Sequence, residues 1–137
     1  MRLLLIDDEV RKAQPLLSYF REVCDWNTEI ATGPDQALKL LQCNGDCPYD
    51  VIILDVMMDP GTVIARELTN GGRDTGLILL EMIVKRTAGK VHIVVYSART
   101  DLDHLKNEGL IAAYIQKPSS ARDIARAIED FLQRAAS

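Results

Sequence analysis

The sequence predicts an α/β domain: a doubly wound, five-stranded parallel sheet in the order 2-1-3-4-5, with helices on both faces. Short aliphatic runs, among them Leu3-Leu4-Leu5-Ile6 and Val51-Ile52-Ile53-Leu54, are too apolar for strands with one wet face. They suit central strands covered on both sides. These runs alternate with stretches of helical periodicity, the pattern of a parallel α/β domain. The first strand is very apolar and the second edge-like, and crossovers are right-handed, which favours the stated order. The switch point then falls between strands 1 and 3. Ligands of such sheets sit at the carboxyl ends of the strands there.

The length of 137 residues suits one domain, 1–137, with one core. A net charge of -4 gives no support for nucleic-acid binding. No apolar run approaches a membrane span. The start, Met1-Arg2-Leu3-Leu4-Leu5-Ile6, is closed by Asp7-Asp8-Glu9 too soon for a signal peptide, so a cytoplasmic protein is expected. Three cysteines are an odd count, and Cys43 and Cys47 are expected to be two reduced thiols in a loop.

Arg2 to Asp7 is the first strand. Ala13, Leu16, Leu17, Phe20, Val23 and Cys24 mark the buried face of the first helix, where Pro15 must lie in the first turn or kink the chain. Trp26 to Thr32 alternates and is more polar, as at a sheet edge. Gly33-Pro34 starts the second helix, with Ala37, Leu38 and Leu41 inward. Asp50 to Asp55 is the third strand.

Residues 56–75 hold Pro60, Gly61, Asn70, Gly71 and Gly72 and cannot be one element. A structureless loop of about twenty residues is rare in a compact domain and usually functional. Within it, Thr62 to Thr69 is predicted as a short helix, capped by Thr62 and stopped by Asn70-Gly71. Gly76 to Arg86 is the third core helix and is apolar on more than one stripe. A second cover is therefore expected, either the inserted loop through Val63, Ile64 and Leu68 or a second subunit in a homodimer. Val91 to Tyr96 is the fourth strand. A short helix near Asp101 to Glu108 ends at Gly109, and Ala112 to Gln116 is the last strand. Ser120 caps the final helix, with Asp123 as its capping-box partner.

Under this order Asp7, Asp8 and Asp55 meet at one end of the sheet. Three carboxylates repel one another unless a cation sits between them, and hard oxygen donors in a hydrated site suit Mg²⁺ or Mn²⁺. Ser97 ends strand 4 at the same edge and Lys117 ends strand 5. A metal, a fixed ammonium group and a hydroxyl form a clamp for a phosphoryl group, and one carboxylate can serve as nucleophile. Each residue also has a plainer reading. Asp8 can cap the first helix, Asp55 can be a loop acid, Ser97 a turn residue and Lys117 a solvated charge.

Taken together, Leu5-Ile6-Asp7-Asp8-Glu9, Ile53-Leu54-Asp55-Val56-Met57-Met58, Ser97-Ala98 and Lys117-Pro118 resemble the motifs of receiver domains of two-component response regulators, in order and spacing over essentially the whole chain. The resemblance implies a flavodoxin-like (CheY-like) three-layer sandwich with Asp55 as phosphoacceptor. It implies Mg²⁺ (or Mn²⁺) held by Asp8, Asp55 and the backbone carbonyl of Met57, with Asp7 acting through water. Lys117 would pair with the phosphoryl oxygens and Ser97 would hydrogen-bond them. Tyr114 would be the aromatic switch residue, and the Lys117-Pro118 bond would be cis. Met57 and Arg99 would tune access of the hydrolytic water.

The implied donor is a phosphohistidine on a sensor histidine kinase or a histidine phosphotransfer protein, and the implied output is a downstream protein target. The protein would be a phosphorylation-dependent switch, with Mg²⁺-dependent self-phosphorylation and self-dephosphorylation only. The long loop departs from the usual pattern and resembles a subset of receivers with a Gly-Gly-Arg-x-Thr-Gly segment, here Gly71 to Gly76. Arg73 in it could approach the phosphoryl group or stay solvated. The stretch from Ser97 to Lys117 is short, so a reduced fourth helix is expected. With no effector segment after Ser137, the sequence reads as a stand-alone receiver if complete, the alternative being a fragment of a larger regulator or hybrid kinase.

Three rivals differ in testable ways. A flavodoxin-type enzyme would want a phosphate-cradling loop where the acidic Asp7-Asp8-Glu9 stands. A metal-dependent aspartyl-phosphate hydrolase would use the same acids but also needs a substrate cap and a general base, and none stands out. A pseudo-receiver that binds partners without phosphorylation would lack one of the key residues, and none is lacking.

Overall fold

The computed structural model describes residues 1–42 and 47–136. Its elements run β1 (Arg2–Ile6), α1 (Val10–Glu22), β2 (Asn27–Ala31), α2 (Pro34–Leu40), β3 (Val51–Leu54), α3 (Thr75–Thr87), β4 (His92–Ser97), α4 (His104–Asn107), β5 (Ala113–Gln116) and α5 (Ala121–Ala136). The sheet is parallel throughout, in the order β2-β1-β3-β4-β5. Aliphatic side chains of β1 and β3 alternate between two cores. Leu4, Ile6, Ile52 and Leu54 pack with α2 and α3 on one face, and Leu3, Leu5, Val51 and Ile53 pack with α1 and α5 on the other. That two-sided burial explains the unbroken apolar runs.

The helix ends follow local chemistry. Pro34 opens α2 at the first turn, where its missing N–H costs nothing. Ser120 Oγ accepts the Asp123 N–H at 3.1 Å and so caps α5. Pro15 lies in the second turn of α1 rather than the first, on the exposed side. The fourth helix is a single turn, shorter than the segment 101–108, and Gly109 (φ +75°) follows it. Cys43, one of the two near-neighbour thiols, falls outside the described residues.

The inserted segment differs from its local signals. The helix predicted from Thr62 to Thr69 is absent, and only Arg66–Leu68 form a 3₁₀ turn. Thr62 is no helix cap. Its N–H and hydroxyl bond the Asp35 carboxylate at 3.0 and 2.7 Å, and the Val63 N–H reaches the same group at 3.1 Å. Ile64 is buried in the cluster that also holds Leu79 and Leu80, but Val63 (48% exposed) and Leu68 (66%) are not covered. The cover expected over α3 therefore comes from Ile64 and Met58 rather than from all three aliphatic residues, and Leu77, Ile78, Met82 and Val84 are left half-buried.

Candidate functional site

Register brings the acids together. Ile6 and Leu54 are sheet partners, so the next residues, Asp7 and Asp55, emerge side by side. Their backbones continue the ladder: Asp55 N–H bonds Ile6 O and Asp7 N–H bonds Ala31 O, both at 3.0 Å. One carboxylate oxygen from each of Asp7, Asp8 and Asp55 lies within 4.8 Å of the other two. Asp7 and Asp55 are buried and Asp8 is exposed.

Asp8 does not cap α1. Glu9 occupies the cap position without a side-chain bond, and Asp8 Oδ2 instead accepts the Asp59 N–H at 3.4 Å. Asp7 Oδ1 takes the Glu9 N–H at 2.8 Å, leaving its other oxygen toward the cluster.

Lys117 is the balancing charge. Its Nζ lies 3.3 Å from Asp7 Oδ2 and 3.5 Å from Asp55 Oδ2. It also sits 5.1 Å from the Tyr96 ring centroid, a cation–π contact that braces the ammonium group. Its backbone N–H bonds Ser97 O at 2.9 Å, and the bond to Pro118 is cis. Burial works against the charged lysine, but Asp55 and Asp7 outweigh it and raise its pKa. Burial raises the Asp55 carboxyl to about 6; Lys117 opposes the rise and Asp7 adds to it.

Ser97 is fully buried, and its Oγ accepts the Arg99 N–H at 3.2 Å. Tyr114 pairs with Val95 in the sheet, and its half-buried ring packs against the α2–α3 core. Its hydroxyl is shut off from solvent with no hydrogen-bond partner among the described residues. Burial raises that phenol's pKa, with Asp103 and Asp101 adding to the effect.

The segment 56–58 is clasped by the end of the insertion. Met58 N–H bonds Gly72 O at 3.1 Å, Gly76 N–H bonds Val56 O at 2.8 Å, and Thr75 Oγ1 donates to Met58 O at 2.6 Å. Only glycine fits at position 76, since a Cβ there would stand 2.5 Å from Val56 Cα and collide with the Asp55 carbonyl. Met57 N–H reaches Asp55 Oδ1 at 3.4 Å. Asp8, Met57, Asp59, Arg66, Gly72 and Arg73 help line a cavity of about 420 Å³ beside the acids. Arg73 is exposed. Arg99 is turned away from solvent toward Asp74 and Asp101, 2.6 Å from each.

Three carboxylates against one ammonium group leave an excess of negative charge in an all-oxygen donor set. That set fits a hard divalent cation held by Asp7, Asp8 and Asp55. Sequence reasoning missed Asp35 and Tyr96. Asp35 acts across 27 residues on Thr62, and Tyr96 reads only as a strand end until Lys117 is seen over its ring.

No family model matches the sequence, and no curated protein matches it. Solved structures do match. The receiver domain of the Francisella response regulator 1452 is 27% identical, with 98% of each chain covered and a TM-score of 0.71. A two-component response regulator from Clostridium difficile is 21% identical, with 100% and 99% covered and a TM-score of 0.75. The response regulator protein TrrA from Thermotoga maritima, solved in complex with Mg²⁺-BeF, is 21% identical, with 95% and 97% covered and a TM-score of 0.69. Along nearly its whole length this chain has CheY-like response regulator receiver domains as its structural neighbours, and its fold is theirs.

Proposed function

We propose that this domain is the phosphoacceptor switch of a two-component or phosphorelay system, with Asp55 as the residue that carries the phosphoryl group. The carrying observation is the meeting of Asp7, Asp8 and Asp55 within 4.8 Å, with Lys117 at 3.3 and 3.5 Å from two of them. With a pKa of about 6, Asp55 is mostly ionised at neutral pH and available as a nucleophile. One Asp55 oxygen attacks the phosphorus of a phosphohistidine. The P–O bond forms as the P–N bond breaks, and the imidazole nitrogen keeps the electron pair and takes a proton. Lys117 offsets charge on the phosphoryl oxygens. Asp8, Asp55 and the Met57 carbonyl, with Asp7 through water, would hold Mg²⁺ or Mn²⁺, which would supply further charge neutralisation. Attack by water on phosphorus later releases orthophosphate and restores the carboxylate.

Asp55 then acts as a signal rather than as an enzyme working on other substrates. The partners are a sensor histidine kinase or phosphotransfer protein and a downstream protein, in the cytoplasm. Ser97 and Tyr114 form the two-state element that responds. With Mg²⁺, acetyl phosphate adds one phosphoryl mass to the wild-type chain and none to Asp55→Asn, read by intact-protein mass spectrometry. Labelling of Asp55→Asn at the wild-type level overturns the assignment.

A further inference from the structure

Arg99 joins two segments that are far apart in sequence. Its side chain is only 11% exposed. Nε and Nη2 grip the two oxygens of Asp101 at 2.9 and 2.6 Å, and Nη1 reaches the Arg73 carbonyl at 3.0 Å and Asp74 Oδ1 at 2.6 Å. Its own N–H rests on Ser97 Oγ at 3.2 Å. Arg99 therefore stands between the one hydroxyl of the phosphoryl clamp and the last residues of the insertion. Asp74 is followed by Thr75 and Gly76, the pair that clasps segment 56–58.

We propose that Arg99 is a strap through which the phosphoryl state of Asp55 controls the insertion, residues 56–75, holding it closed in the unphosphorylated protein and loosening it on phosphorylation. This rests on Asp55 being the phosphoacceptor. When Ser97 Oγ turns to a phosphoryl oxygen, the Arg99 N–H loses its acceptor and the turn 97–99 is free to shift. The bidentate pair of Arg99 with Asp101, two residues further along the same loop, moves with it as a unit. The bonds that break are those across the gap, to Asp74 and the Arg73 carbonyl. Release there reaches the cavity beside Asp8, which Arg73 and Gly72 line. The coupling is reciprocal, so a molecule that grips the closed insertion weakens binding of a phosphoryl mimic at Asp55. Arg99 is a positioning residue in this scheme, since the guanidinium is engaged by Asp101, Asp74 and the Arg73 carbonyl rather than by Asp55 or Lys117.

Amide hydrogen exchange on the full chain tests the strap, with and without Mg²⁺ and beryllofluoride. Asp74→Ala is the informative variant, because Asp74 makes no side-chain cap bond at the start of α3. In the wild type, beryllofluoride slows exchange around Asp55 and Ser97 and speeds it severalfold over 59–74. In Asp74→Ala the insertion exchanges severalfold faster without beryllofluoride, gains little on its addition, and binds it a few-fold more tightly. Asp74→Asn, which keeps an acceptor oxygen, falls between the two. If the site becomes protected but exchange of the insertion is unchanged, or if Asp74→Ala behaves as wild type, the strap is wrong. Absence of protection anywhere removes the phosphoacceptor reading and the strap with it.

Discussion

Asp55 stands on four residues with no exposed surface, Val51 to Leu54, whereas Thr62 hangs from a carboxylate on the surface of α2. The two lie in one loop-and-strand unit, yet they are held by different physics. Burial of β3 is non-directional and worth about 1.5–3 kcal/mol per side chain before entropy, so it fixes the strand end rigidly. The middle of the insertion, residues 59–66, is held by the buried side chain of Ile64 and by polar bonds that are exposed, such as the Asp59–Arg66 pair at 3.3 Å. Bonds of that kind are weak, screened by salt and easily traded. The strand ends are therefore suited to chemistry that needs fixed geometry, and the insertion to a response.

The largest expected effect comes where the two regions touch. Gly76→Val drives a side chain into the Val56 Cα and the Asp55 carbonyl, and is expected to cost about 3 kcal/mol or more in urea denaturation. A loss below about 1 kcal/mol would mean that the clasp can yield, and the rigid side of the comparison would fail.

A smaller effect of opposite sign is expected at Asp55. Its folded pKa is raised to about 6 from 3.8, chiefly by burial. The folded state holds the proton more tightly than the unfolded one, so stability from this group is present below about pH 4 and is lost as pH rises through about 6. Asp55→Asn removes that loss. It is expected to be more stable than wild type by about 1–3 kcal/mol at pH 7, with the gap closing near pH 4. Added Mg²⁺ should narrow the gap at pH 7. An Asp55→Asn variant less stable than wild type at pH 7 would show that Lys117 outweighs burial.

The smallest global effect belongs to Asp35→Ala. It removes the anchor of Thr62 and Val63 and should leave the melting temperature nearly unchanged, while limited proteolysis within 59–68 quickens severalfold. Unchanged cleavage would mean that Ile64, not Asp35, holds the insertion.

Strand identity and order were legible because the aliphatic runs and their alternation with helices are local and redundant. The meeting of Asp7 and Asp55 with Lys117 was legible for the same reason, since each ends a readable strand. Asp8 reads in the sequence as either cap or ligand. The backbone removes the cap reading, because Glu9 takes the cap position and Asp8 Oδ2 accepts the Asp59 N–H. Residues 62–69 misled because Thr62 followed later by Asn70-Gly71 imitates a helix with its cap and stop. The competing acceptor, Asp35, lies outside any local window. Arg99 was read for its nearness to Ser97, and its bond to Asp74, 25 residues away, could not be seen in the sequence.

The most direct test of Asp55 as phosphoacceptor is beryllofluoride binding followed by ¹⁹F NMR. Saturable binding of a single equivalent is predicted, dependent on Mg²⁺ and absent in Asp55→Asn. Binding that persists in Asp55→Asn, or no binding by the wild type with Mg²⁺ present, would contradict the account.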